Sequence, residues 1–309
     1  MNYREWLESW LCNYVQPSSK RRTYERYVEI VNQHIIPALG ETELNALTPL
    51  DMQRFVTDLL RTGNLKTGTG LSSNSVNAII TVMQSSLKTA YTLGYTEFYA
   101  ADKIKRPKAK EKRVECFSLA EQKKIEQYIM SKDQPKLFGV FLCLYTGLRV
   151  GELLALEWSD VDLKKGELRV SKTCYDGKGE DGAFSRITDT PKTPCSVRTV
   201  PIPKRLLPLL RDVKKKSPSI YVVSGGEKEI SVRSYQRTFT LLQRKLEIPH
   251  RGFHALRHTF ATRALECGMD VKTLSEILGH KSPTVTLNRY AHSLPEHKKA
   301  MMDRLGKLI

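Results

Sequence analysis

His254-Ala255-Leu256-Arg257-His258-Thr259-Phe260-Ala261-Thr262 is followed by Leu278-Gly279-His280 and then, ten residues on, by Tyr290. On a helix His254 and Arg257 share a face, so an imidazole and a guanidinium can reach one anion together. Val271, Leu274, Ile277 and Leu278 repeat at helical spacing, and Gly279 ends that helix with His280 directly behind it. Ser282-Pro283 reads as a fresh helix start, which puts Tyr290 about two turns along a short helix. His254 and His258 have the spacing of a zinc-binding helix, but the Glu that a metalloprotease needs after the first His is missing.

Upstream, Leu137 to Tyr145 is strongly apolar and reads as a buried helix running into Thr146-Gly147-Leu148-Arg149-Val150-Gly151-Glu152. Glu167 to Cys174 and Val197 to Pro201 have the composition of strands, and Ile220 to Val223 predicts a short third one. A polar, Gly-bearing insertion, Asp176 to Thr190, lies between the first two, and Lys192 stands just beyond it. Lys172 and Lys178 flank the same region. From Ser231 onward the pattern is helical again.

The first hundred residues predict a separate helical module. Trp6, Leu7, Trp10, Leu11 and Val15 form one apolar face, and Tyr24, Tyr27, Ile30, Val31 and Ile35 another. Thr48-Pro49-Leu50-Asp51 is a capped helix start that Gly63 closes. A fourth helix begins near Ser73, buries Val76, Ile79, Ile80, Met83, Leu87 and Ala90, and stops at Gly94. Residues 102–114, DKIKRPKAKEKRV, are charged and without apolar period, and read as a basic linker. Ser118-Leu119-Ala120-Glu121 opens the next domain with a capping box. The division is therefore 1–101, a helical module; 102–114, a basic linker; and 115–309, a second domain with a C-terminal tail.

Composition narrows the function classes. The chain of 309 residues carries 50 Lys+Arg against 33 Asp+Glu, a net charge of +17. Such an excess suits a partner that is a dense row of phosphates. The 6 cysteines are scattered without a CxxC pair, which argues against a zinc ribbon or a disulfide scaffold. Neither a signal peptide nor a membrane-spanning apolar run is present, so a cytoplasmic, bacterial location is expected.

Taken together, TGLRxGEL, a strand-borne Lys, HxLRHTFAT, LGH and a following Tyr resemble the tyrosine recombinase, or phage integrase, family over roughly residues 3 to 300. The look is nearest to conjugative-transposon integrases. The resemblance implies a mainly α fold with a small antiparallel β-sheet in the catalytic domain, the two domains forming a C-shaped clamp on DNA. It also implies site-specific cleavage and rejoining of DNA through a 3′-phosphotyrosine, integrating or excising a mobile element. Tyr290 is then the nucleophile, Arg149 and Arg257 the phosphate clamps, His254 and His280 further donors, and Lys192 the general acid. Glu152 is a supporting acid beside Arg149, and His258 a supporting, packing group. Lys192 is preferred over Lys172 and Lys178 because Ser196-x-Arg198-x-Val200-Pro201 follows it in the family pattern. No metal, ATP or other cofactor is expected. The expected partners are double-stranded DNA, a homotetramer on two DNA sites, and an excisionase or DNA-bending protein, with no membrane.

The insertion Asp176 to Thr190 resembles the extended β element of transposon integrases, which would touch DNA or a neighbouring subunit. The tail Leu294 to Ile309, with Met301, Leu305 and Leu308, reads as an amphipathic helix docking on its own or an adjacent protomer. Many such integrases carry an arm-binding domain ahead of the first helical module; here that module opens the chain, so a simpler recombinase or a shortened chain is expected. Alternatives are a dimer-resolving or inversion recombinase, a type IB topoisomerase, a non-catalytic DNA-binding protein and, weakest, a metal-dependent nuclease.

Overall fold

A computed structural model describes residues 1–109, 114–132, 134–179, 182–190, 196–224, 226, 228–290, 302, 303 and 306. The chain divides into two compact units, Met1–Lys112 and Arg113–Ile309. Among the described residues no helix is long and apolar enough to cross a membrane.

The first unit is helical. Helix α1, Tyr3–Trp10, starts at an Asn2–Glu5 capping box and buries Tyr3, Trp6, Leu7 and Trp10, the face its spacing predicts. Helix α2 is Arg21–Ile30. The sequence pattern implies that both continue regularly, but each widens into a π-turn, Leu11–Val15 and Val31–Ile35. The cause is proline. Pro17 and Pro37 lack an N–H, and their rings crowd the carbonyl four residues back. In the wider turn Gln16 N–H reaches back to Leu11 O and Ile36 N–H to Val31 O, each five residues away, so the helix absorbs the proline without breaking. Helix α3, Pro49–Thr62, is capped by Thr48 and Asp51 and ends at Gly63. Helix α4, Ser73–Thr92, buries Val76, Ile79, Ile80, Met83, Leu87 and Ala90. The Tyr3 hydroxyl bonds Ser86 Oγ at 2.9 Å and Trp6 Nε1 donates to Ser86 O at 3.2 Å, locking α1 onto α4.

Much of the stretch read as linker is fastened to this unit. Ile104 is buried, and Lys105 N–H donates to Gln53. Arg106 donates to Asn77 O, Thr81 and Gln84, and Asn77 Nδ2 donates to Pro107 O. Periodicity misses these anchors because they are single side chains caught by a neighbouring helix.

In the second unit, helix α5, Leu119–Met130, starts at the Ser118–Glu121 capping box. Helix α6, Pro135–Thr146, is buried on nearly every side and ends at Gly147, whose φ of 64° is left-handed. Helix α7, Val150–Ala155, follows at once. The β section forms two sheets rather than one. Strands β1 (Val161–Asp162), β2 (Glu167–Val170) and β5 (Arg198–Pro201) make an antiparallel sheet in the order β1-β2-β5. The chain leaves it at Ser171-Lys172, where the Lys172 ammonium binds Glu157 at 2.7 Å. It then forms a hairpin of β3 (Thr173–Lys178) and β4 (Phe184–Asp189) out of much of the polar insertion. Among the described residues Ile220 to Val223 makes one bridge, Tyr221 to Glu157, beside a turn at Trp158–Asp160.

Helices α8 (Leu207–Lys216), α9 (Val232–Lys245), α10 (His254–Glu266), α11 (Val271–Leu278) and α12 (Pro283–Tyr290) complete the described part. Val140, Leu142, Leu153, Leu154, Tyr235, Phe239 and Leu256 are centred in one core that carries α6, α7, α9 and α10. Most of the tail from Leu294, including Met301, Leu305 and Leu308, lies outside the described residues.

Candidate active site

Tight backbone turns deliver the functional side chains. The left-handed Gly147 turns the chain from α6 into Leu148-Arg149, and a Cβ there would sit 2.5 Å from Phe260 Cδ1. Gly151 lets β3 lie against α7, since a Cβ would meet Cys174 O at 2.4 Å. Glu152 turns back on the start of its helix, accepting from Arg149 N–H at 2.9 Å and from Arg149 Nη1 at 2.7 Å. Arg149 keeps 38% of its side chain exposed, whereas that of Glu152 is 4% exposed. One carboxylate thus aims a guanidinium that solvent, or a ligand, can still reach.

Arg257 on α10 is buried. Its Nη1 donates to Gly147 O at 2.9 Å and its Nη2 to Leu278 O at 2.7 Å. It therefore pins the carbonyl ends of α6 and α11, where a cation is favoured by the helix dipoles, and keeps N–H groups for a further acceptor. Burial, then Arg149, lowers its pKa to about 9, which leaves it charged at neutral pH. Gly279 caps α11 in a left-handed turn at φ 64°. His280 follows, and its Nδ1 lies 2.7 Å from Thr286 Oγ1 on α12.

Tyr290 ends α12 and is 1% exposed, against Ala261, Ala264, Leu265, Leu274 and Leu278. Thr286 and Tyr290 are four apart, so they face inward together. The Tyr290 hydroxyl lies 2.7 Å from His258 Nδ1. His254 stands one turn before His258 on α10, reaches the surface, and meets the His258 ring edge-on with centroids 4.5 Å apart.

The cluster is strongly electropositive. Burial and nearby cations hold the imidazoles neutral: His254 is lowered to about 4, with Arg257 the leading charge, and His280 to about 4, again with Arg257 leading. His258 is lowered to about 3 by burial, then by His254 and Arg289. Burial pushes Tyr290 up to about 12, against the pull of Arg257 and Arg289. Glu152 is the only acid among the buried side chains of the described residues. Burial works to raise it, but Arg198 and Arg149 outweigh that and bring it to about 2. A set of arginines and neutral imidazoles around one carboxylate is built for a further anion. Among the described residues no group of three or more His, Cys, Asp or Glu could hold a metal ion.

The sequence-selected Arg149, Glu152, His254, Arg257, His258, His280 and Tyr290 thus converge in one cluster. Lys192 lies outside the described residues. Lys172 is engaged by Glu157. Sequence reasoning undervalued His258, which touches the tyrosine hydroxyl itself. It missed Arg198, whose guanidinium grips Glu152 at 2.9 and 3.1 Å. The pattern Ser196-x-Arg198-x-Val200-Pro201 was the available signal.

Comparison with known proteins bears on this arrangement. Residues 109–297 match the family described as "Phage integrase family", and residues 2–60 match "Phage integrase, N-terminal SAM-like domain". A "Tyrosine recombinase XerC-like" of Caldanaerobacter subterraneus is 32% identical over 98% of this chain and 82% of its own. The ICEBs1 integrase of Bacillus subtilis is 31% identical over 94% of this chain and 79% of its own. In fold, the chain resembles the Tn1549 transposon integrase in complex with transposon right end DNA, with a TM-score of 0.80, 22% identity, and coverage of 99% and 100%. It also resembles a lambda integrase tetramer bound to a Holliday junction, with a TM-score of 0.68, 20% identity, and coverage of 92% and 79%.

Proposed function

The chain belongs to the phage integrase family of tyrosine recombinases, and from that premise we propose that Tyr290 cuts and rejoins the ends of a mobile DNA element. It is a site-specific DNA recombinase. The observation that carries the mechanism is the hydroxyl of Tyr290 bonded to His258 inside a ring of arginines and histidines. Arg149 and Arg257 take the nonbridging oxygens of the scissile phosphate, with His254 and His280 as additional donors. The Tyr290 oxygen attacks phosphorus, its proton passes to His258, and the bond from phosphorus to the 5′ oxygen breaks. Lys192 gives that oxygen its proton, so a 3′-phosphotyrosine and a free 5′ hydroxyl result. The reverse attack by another 5′ hydroxyl restores the DNA, with no ATP and no metal needed.

The resting pair is poised but silent. With Tyr290 near 12 and His258 near 3, proton transfer between them is far uphill. An arriving phosphate brings negative charge beside the imidazoles and raises their basicity. Tyr290 must also become accessible to the phosphorus while its hydroxyl stays within reach of His258, and its place on the short α12 supplies the moving part.

The named relatives support a mobile-element substrate, through the ICEBs1 integrase and the Tn1549 integrase on transposon DNA. The first unit binds duplex DNA beside the cleavage point and the second cuts it. Four copies act on two sites in the cytoplasm, with an excisionase or DNA-bending protein directing the outcome. The test uses a nicked duplex enriched, by its binding to the chain, from a randomised pool. The unaltered chain should form a detergent-resistant adduct in EDTA, and Tyr290→Phe should bind without forming one. Binding without any adduct from the unaltered chain would leave a DNA-binding protein without catalysis.

A further inference from the structure

We infer that Arg198 is a positioning residue for the cleavage reaction, holding Glu152 so that Arg149 and His280 meet one phosphate. The inference rests on the recombinase reading above and extends it to a side chain outside the phosphate-binding set.

Three observations converge on this guanidinium. Its Nη2 donates to Glu152 Oε2 at 2.9 Å and its Nη1 to Glu152 Oε1 at 3.1 Å, so the carboxylate is held by both oxygens. Those same oxygens receive Arg149 Nη1 and the Arg149 backbone N–H. The Nε of Arg198 donates to Ile277 O in the last turn of α11. Finally, the side chain lies across Gly279, where a Cβ would come within 3.0 Å of both Arg198 Cδ and Nη1. Gly279 directly precedes His280.

Arg198 opens β5, and its Nη1 also donates to Ser196 O at 3.2 Å. One planar fork therefore joins three chain segments: the start of α7 that carries Arg149, the end of α11 that carries His280, and the strand that follows residues 191–195. A lysine cannot span them, because an ammonium offers a point charge in place of a fork. The side chain is only 6% exposed and its partner 4%, so solvent cannot replace it.

The groups facing Glu152 from each side set the pH behaviour. They are Arg149 at its own helix start, Arg198 on β5, Arg257 and His254 on α10, and Cys143 on α6. With Arg198 gone, burial raises Glu152 against weaker opposition. Its protonated form cannot ion-pair with Arg149, so cleavage should fail progressively as pH drops.

The experiment measures single-turnover adduct formation on the selected nicked duplex between about pH 5 and 8, with DNA affinity and thermal stability in parallel. Arg198→Ala should cut at least about 100-fold more slowly at neutral pH, a loss like that of one oriented donor, while binding DNA as before. Its rate should fall further toward acid. That further fall, measured relative to the profile of the unaltered chain, should be absent from Arg198→Ala combined with Glu152→Gln. Arg198→Lys, which keeps the charge and disturbs packing least, should recover less than a tenth of the lost rate. A loss that merely tracks the unfolded fraction, a pH profile parallel to that of the unaltered chain, or full rescue by Lys would overturn the inference. If the unaltered chain forms no adduct, the recombinase reading fails and the positioning role falls with it.

Discussion

The Tyr290 hydroxyl lies 2.7 Å from Nδ1 of His258, one turn along α10 from His254, and the tyrosine is 1% exposed. The bond does two things at once. It satisfies a buried phenol that would otherwise be unpaired, and it sets the hydroxyl of the proposed nucleophile directly against a neutral imidazole.

His258→Phe keeps a ring in the space and removes the acceptor. Cleavage of the nicked duplex should slow by roughly 10²- to 10⁴-fold, the range of general-base catalysis, with DNA binding intact in a gel-shift assay. An unchanged rate would take His258 out of the proton path.

Acid should weaken the fold before it reaches the carboxylates. His258 and His280 are lowered from 6.5 to about 3 and 4, and His34 is lowered by burial in the first unit. The unfolded chain therefore takes up protons first as pH falls. The stability these groups lend is complete above pH 6.5 and declines as pH falls toward their folded values. Thermal scans between about pH 7 and 5 should show a falling Tm, with a shallower slope in His258→Phe. A flat Tm across that window would contradict the burial of neutral imidazoles.

The two clamp arginines should separate in a stability assay. Arg257→Ala removes a buried cation from the carbonyls of Gly147 and Leu278 and should cost about 3–5 kcal/mol in urea denaturation. Arg149, exposed over more than a third of its side chain, should cost under about 2 kcal/mol when changed to Ala, chiefly by leaving Glu152 with less compensation. Both changes should abolish adduct formation. Equal stability losses would mean that Arg257 is not the structural pin of α6 and α11.

Lys172 is tied to Glu157 at 2.7 Å, so Lys172→Met should leave cleavage nearly intact. Lys192→Ala should lower it sharply. A duplex whose 5′ bridging oxygen is replaced by sulfur offers a thiolate leaving group, with a pKa of about 8.5, that departs without a proton. That substrate should restore the rate of Lys192→Ala. Rescue of Lys172→Met in its place would move the general acid to Lys172.

What was readable in the sequence was local. The Thr48–Asp51 box, the glycine stops at Gly63 and Gly279, and the buried face of α4 each follow from a few neighbouring residues. The convergence of Arg149, His254, Arg257, His280 and Tyr290 was legible only through their order in a recognisable pattern. The rest depended on distant partners. Arg198 meets Glu152 and Ile277 from 46 and 79 residues away, and His258 meets Tyr290 across 32. The β section divides into two sheets because β2 finds β5 while β3 finds β4, a choice that strand composition does not encode. The π-turns were foreshadowed by Pro17 and Pro37, whose effect a simple helical period overlooks.

The most direct test locates the covalent bond. The chain is incubated with the selected nicked duplex, the DNA is digested to a nucleotide stub, and the protein is mapped by peptide mass spectrometry. A nucleotide esterified through phosphate to Tyr290, lost in Tyr290→Phe, is the expected result. A stub on any other residue, or an adduct that survives Tyr290→Phe, would contradict the assignment of Tyr290 as the attacking group.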